Sequence, residues 1–179
     1  MGVNRFTPIV VLAAWLAACG AALGPSPASA SGSDLAAFDF LFGGTTAKFS
    51  GDRRWQPTLW IDGTAGVAGP LHLGGYFQWL GKSWPLEDPG LGGGGMIAIR
   101  PNLKKLRITG AFTGGYLKVP LPTHSEGAGT IGALFGLGYS FLDWMGIEAR
   151  GRWMQYFRMP EGAPSSAWSI EVGLSFFVK

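Results

Sequence analysis

The sequence predicts an all-β chain: a single eight-stranded antiparallel up-and-down barrel that crosses a membrane. Three observations predict it. Apolar and polar residues alternate with period two through most of the chain, as they do on strands with two unlike faces. The apolar face is too aromatic for water, while the opposite face is rich in glycine and charge. The connections between alternating segments are long and short by turns, which is the hairpin pattern of membrane-spanning barrels.

Composition narrows the function classes. Of 179 residues 30 are glycine, a poor fit to a helical bundle because each interior glycine costs a helix roughly 1 kcal/mol relative to alanine. Charged residues at 14% and aromatics at 13% exclude an intrinsically disordered chain. A single cysteine excludes a disulfide framework and any multi-cysteine metal site. The net charge of +3 is too small and too scattered for a nucleic-acid binder.

Residues 1–30 read as an export signal. Arg5 supplies the positive start, an apolar stretch runs from Pro8 to Leu23, Gly24-Pro25 breaks it, and Ala28-Ser29-Ala30 offers a leader-peptidase site. The apolar stretch is too short to be a spanning helix. Leu16-Ala17-Ala18-Cys19 resembles the lipobox of bacterial lipoproteins, in which the cysteine is lipidated and becomes the new N-terminus. Cleavage after Ala30 and lipidation at Cys19 both remain open, and both imply an exported bacterial protein. Residues 31–37 then form a short periplasmic N-terminal segment, and residues 38–179 form the barrel.

Eight segments alternate. Residues 38–49 place Phe38, Phe40 and Phe42 opposite Asp39 and Gly43. Residues 57–67 set Leu59, Ile61, Ala65 and Val67 against Asp62, Thr64 and Gly66. Residues 71–81 set Leu71, Leu73, Phe77 and Trp79 against His72, Gly74, Tyr76 and Gln78. Residues 93–100 are weaker, with Ile97 and Ile99 against Ala98 and Arg100. Residues 106–118 set Leu106, Ile108, Phe112 and Tyr116 against Arg107, Thr109 and Thr113. Residues 130–141 set Ile131, Ala133, Phe135, Leu137 and Tyr139 against glycines 132, 136 and 138 and Ser140. Residues 145–158 set Ile147, Ala149 and Trp153 against Glu148, Arg150 and Arg152. The last segment sets Trp168, Ile170, Val172, Leu174, Phe176 and Val178 against Ser169, Glu171, Gly173 and Ser175. Long connections fall at residues 50–56, 82–92, 119–129 and 159–166, and short ones at 68–70, 101–105 and 142–144. With short turns on the periplasmic side, both the N- and C-termini are periplasmic.

The volume of the interior sets which face is which. An eight-stranded barrel is only just wide enough for side chains, so small and charged residues are expected inside and bulky apolar ones outside, against hydrocarbon. A soluble lipocalin-like barrel, the alternative, packs its apolar residues inward. Closure pairs every backbone group where the solvent offers no hydrogen bonds. The inward charges nearly balance: Asp39, Asp62, Glu148 and Glu171 face Arg100, Arg107, Arg150 and Arg152. Buried charges survive when paired, so these residues are expected to form a lumenal network that plugs the barrel. The alternative for the same residues is a narrow, porin-like ion path. Aromatics near the strand ends fit interfacial girdles, with Trp79, Tyr116, Trp153 and Trp168 towards the long loops and Tyr139, Phe141, Trp144 and Phe176 towards the short turns.

A specific resemblance enters at the C-terminus. Glu171, Gly173, Phe176 and Val178 match the terminal signal of bacterial outer-membrane barrels: polar, any, glycine, two of any, hydrophobic, any, hydrophobic. Lys179 follows, where that family commonly ends on an aromatic. From residue 38 onward the chain resembles a small eight-stranded outer-membrane protein, similar to the transmembrane domain of the outer membrane protein A type. The resemblance implies the outer membrane of a Gram-negative bacterium, with outer-membrane lipids and lipopolysaccharide as surroundings. It implies recognition of the last strand by the barrel assembly machinery. It implies no cofactor and a structural, adhesive or loop-presenting role, with no surface ligand legible.

Some barrels of this class are enzymes that modify lipid A or phospholipids with a histidine, a serine and an acid near the outer rim. Thr123-His124-Ser125-Glu126 contains all three types. Adjacent residues on an extended chain point in opposite directions, so a solvated loop and no enzyme are expected. His72 is expected to be a hydrogen-bonded filler. No His, Cys and carboxylate cluster has metal-ligand spacing. Residues 92–95 lack the Lys-Ser/Thr of a phosphate loop and precede a strand. Gly132 and Gly136 share one strand face, so they copy the helix-pairing motif only in spacing. Glu87-Asp88 and Arg53-Arg54 lie in different long loops, where divalent cations or lipopolysaccharide phosphates compete with plain solvation.

Overall fold

The computed structural model describes residues 34–49, 52–82, 89–120, 124–159 and 163–179. The leader with Cys19 and Ala30, the Glu87-Asp88 pair and Thr123 lie outside these residues. The strands are β1 (Ala36–Phe49), β2 (Asp52–Ala68), β3 (Leu71–Leu80), β4 (Gly90–Ile99), β5 (Leu106–Pro120), β6 (Ser125–Ser140), β7 (Met145–Phe157) and β8 (Ser166–Val178). A two-residue ladder, Asn102–Leu103, prolongs the β4–β5 turn by pairing with Arg107 and Leu106.

Every strand pairs antiparallel with its neighbours in sequence, and β8 returns to β1 in a register running from Ala36↔Val178 to Ala47↔Ala167. The expected eight-stranded up-and-down barrel is therefore closed and has no sheet edge. The first described residues and the C-terminal ones meet at one rim, where Leu35 N–H donates to Val178 O at 2.7 Å. Alternation sorts the side chains as the sequence predicts. Phe42, Phe112, Trp168 and Ile170 project outward and are 63–74% exposed, while Asp39, Asp62, Arg150 and Glu171 project inward and are at most 1% exposed.

Strands β2, β4, β5 and β6 run further than the sequence predicts at the long-loop end, and β1 gains Ala36 and Ala37 at the other rim, where the sequence predicts a segment outside the barrel. The β1–β2 ladder continues to Phe49↔Asp52 and the β5–β6 ladder to Pro120↔Ser125. The connections there shrink to residues 50–51 and 121–124, which corrects the expected loops at 50–56 and 119–129. The reason is that hairpin hydrogen bonds run on past the point where the apolar face ends. Lys48, Arg53 and Lys118 occupy outward positions on these extensions, and their charge hides the alternation. Strand β4 also starts early, at Gly90. Its glycines have weak strand preference of their own, but ladders to β3 (Leu80↔Gly90) and β5 (Leu91↔Lys118) hold them from both sides.

Candidate functional site

The interior is divided into layers. Nearer the rim with the chain ends it is ionic, and Arg150 on β7 is the hub. Its guanidinium donates to Asp39 on β1, to Asp62 on β2, and at 2.6 Å to Glu148, two positions earlier on its own strand. Arg100, just beyond β4, bridges the same two aspartates at 2.5 and 3.0 Å. Ser175 on β8 donates to Glu148 at 3.3 Å. These contacts join four strands and the start of the β4–β5 turn through one charge cluster.

Beside it, Arg152 pairs with Glu171 on the adjoining β8 and lies 4.0 Å above the ring of Trp60. Arg107 stands apart. It pairs with Asp34, donates to Ser140 Oγ at 2.5 Å and lies 3.2 Å over the Phe177 ring. Asp34 was not legible as a site residue, because it precedes the first alternating segment. Together these pairs meet the rule that a charge removed from water needs a partner. Removing one partner from such a cluster strands the others, at a cost of about 3–5 kcal/mol.

Above the ionic layer two apolar groups share the interior with the buried Thr45, Gln56, Thr58 and Gln78, which corrects the expectation that only small or ionised residues line the lumen. A middle group consists of Leu41, Trp60, Tyr76, Met96, Ala98, Ala111 and Leu134. Trp60 stacks on Tyr76 with centroids 4.1 Å apart, and its indole N–H donates to Asp62 at 2.7 Å. The Tyr76 hydroxyl lies 3.2 Å from that of Thr130. Nearer the long-loop rim lie Leu80, Leu117, Val119, Ala128, Met154 and Tyr156, with Ala47 and Ala167. The space comes from inward-facing glycines. A Cβ at Gly115 would press on the Tyr76 hydroxyl, one at Gly132 on Met154, and one at Gly136 on Glu148 and Arg150. Trp60, two positions before Asp62, shares its inward face; the volume expectation failed because each glycine vacates room that a larger neighbour fills.

Outside, Trp153 pairs across strands with Trp168, and Trp168 and Trp55 flank Thr46. Trp55 lies on the extension of β2, in a stretch the sequence predicts as a loop; its ring covers Gly44. At the opposite end Trp144 stacks on Phe176 at 6.2 Å and Phe40 meets Phe176 edge-on at 6.1 Å. Within β8, Phe176 and Val178 face outward and Glu171 and Gly173 inward. A Cβ at Gly173 would strike the backbone of Phe40, so the seam that closes the barrel is tight there.

The remaining candidates lie outside these clusters. His124 and Glu126 lie 3.6 Å apart on the surface, 55% and 43% exposed. His72 is fully buried and faces inward, but neither ring nitrogen has a hydrogen-bond partner among the described residues, which corrects the expected hydrogen-bonded filler. Arg53 and Arg54 belong to β2 rather than to a loop. Among the described residues no group of three or more His, Cys, Asp and Glu could hold a metal ion.

The closed cylinder has counterparts among solved structures. Neisserial surface protein A is similar at a TM-score of 0.62 and 10% identity, over 79% of this chain and 96% of that one. The fold is that of the small outer-membrane barrels. The outer membrane protein OprG of Pseudomonas aeruginosa gives a TM-score of 0.53 at 10% identity, over 82% of this chain and 97% of that one. Ail, the attachment invasion locus protein of Yersinia pestis, gives 0.51 at 10% identity, over 79% and 97%. Neither a protein-family model nor a curated protein sequence matches the chain. Such likeness concerns the architecture, which many functions share, so function has to be argued from the residues.

Proposed function

We propose that the protein is an outer-membrane barrel of a Gram-negative bacterium with a structural, adhesive or loop-presenting role, non-enzymatic and closed to solutes. The observation that carries this is the inside-out sorting of the barrel: Phe42, Phe112 and Ile170 outside, the Arg150 cluster inside. A soluble binder of lipocalin type would reverse both sets. On this reading the rim with the chain ends is periplasmic, and the extended hairpins stand at the cell surface. Lys48, Arg53, Lys118 and Arg158 are exposed near the surface rim, past the Trp55–Trp168 girdle, where lipopolysaccharide phosphates would meet them. Attachment is a property named for Ail; the short hairpin tips here would offer a partner a small, basic contact surface.

Two features oppose conduction. The ion pairs occupy the lower lumen, and side chains also fill the upper one, where Leu117, Met154 and Tyr156 stand with the buried Thr45, Gln56 and Gln78. Glu171, Gly173, Phe176 and Val178 act as the assembly signal in this account, presented on the strand that closes the barrel. The leader is removed after Ala30, or Cys19 is lipidated; the intact mass of the mature chain separates the two.

Fractionation with gel electrophoresis tests the proposal. The protein should enter the outer-membrane fraction, migrate compactly in cold detergent and shift on boiling. A chain soluble without detergent, with no heat shift, would reject it. A His124→Ala variant should leave lipid A and phospholipid profiles unchanged; an altered profile would point to the lipid-modifying enzyme instead.

A further inference from the structure

The rim with the chain ends carries a feature that the proposed role does not use. The β4–β5 turn, the β6–β7 turn and the last residue of the chain frame a cleft of about 240 Å³. Lys104, Lys105 and Lys179 line it, with Asp143 as the one acidic side chain beside the carboxylate that ends the chain at Lys179. At its floor the charge of Arg107 is already met by Asp34. Lys179 reaches Asp143 at 3.3 Å across exposed surface, which leaves Lys104 and Lys105 without an acidic partner among the described residues. The cleft thus keeps an excess of positive charge, the two lysines of the turn against the one terminal carboxylate.

Its construction is local and firm. Ser140 N–H donates to Lys105 O at 2.8 Å, tying the strand that leads into one turn to the other turn. Lys104 has φ +64°, a conformation that glycine adopts freely and that a residue with a Cβ resists. A chain with 30 glycines nevertheless places a lysine there. Around the cations runs an apolar skirt: Leu103, Leu106, Phe141, Leu142 and Trp144 are each about half exposed. Cations beside outward apolar side chains match one kind of ligand, an anion that carries hydrocarbon.

We propose that this cleft binds the phosphate headgroup of an anionic phospholipid of the periplasmic leaflet, the lysines on the phosphate and the acyl chains along the skirt. The proposal rests on the membrane reading above. Free phosphate shares the charge but gains nothing from Leu103, Phe141 or Trp144.

The test uses the protein reconstituted in phosphatidylcholine vesicles with spin-labelled phosphatidylglycerol or spin-labelled phosphatidylcholine. The immobilised fraction of each lipid gives the preference. Phosphatidylglycerol should be preferred about fivefold or more, and added salt should weaken the preference. The triple variant Lys104→Gln, Lys105→Gln, Lys179→Gln should retain both lipids alike, while arginine at the same three positions should keep the preference. An inserted wild-type barrel that retains both lipids equally overturns the headgroup site and leaves the barrel reading standing. A glutamine variant that keeps the preference, or displacement of the lipid by millimolar inorganic phosphate alone, also overturns it. A chain that stays out of the vesicles overturns both.

Discussion

Arg150 holds three carboxylates from three strands, so it does for this barrel what an apolar core does for a soluble one: it fixes which strands lie together. Arg150→Ala would leave Asp39, Asp62 and Glu148 facing one another with only Arg100 between the aspartates. Urea unfolding of the vesicle-bound protein should show a loss of about 3–5 kcal/mol. An unchanged midpoint would mean that water, not the arginine, carries these charges. Trp60→Ala, which removes the stack on Tyr76 and the cover for Arg152, should cost about 3–5 kcal/mol. At this scale the charged residues were legible, because a charge on the face opposite Phe and Ile has only one place to go. Asp34 was not, since nothing around it alternates. Nor was the size of the interior residues, because glycine and tryptophan exchange volume across strands that the sequence does not place side by side.

At the scale of elements, the faces of the strands were legible and their ends were not. Period two fixes a face, but it fades where a strand leaves the apolar zone, as β1, β2, β5 and β6 do at Lys48, Arg53, Lys118 and Glu126. Strand β8 combines a seam and a signal. Phe176→Ala with Val178→Ala should reduce the folded protein in the outer membrane severalfold while leaving refolding into detergent intact, because only the cellular route reads the signal. Equal loss in both would assign those residues to packing alone. The apolar layer formed by β3, β5, β6 and β7 makes a separate prediction. The wild-type protein should be silent in planar bilayers, and Leu117→Gly with Met154→Gly should admit discrete conductance steps. Steady conductance of the wild type would favour an ion path and reject the closed lumen.

For the whole molecule, closure joins the two other scales. Pairing β8 to β1 removes the sheet edge, so the outer surface can be apolar without exposing backbone polar groups. The interior can then hold charge, because the same closure shields it. This arrangement could be read from the sequence in outline, since an even number of two-faced segments with alternating connections has few other solutions. The cationic cleft could not, because Lys104, Lys105 and Lys179 come together only when the barrel is wound. Two single-tryptophan variants of the vesicle-bound protein, one keeping Trp168 and the other Trp60, probe the arrangement most directly when the acyl chains carry bromine. Emission from Trp168, 63% exposed on the outer face, should be strongly quenched, and emission from the fully buried Trp60 should not. Quenching of Trp60 as strong as that of Trp168, or no quenching of either, would contradict a barrel whose greasy face meets lipid.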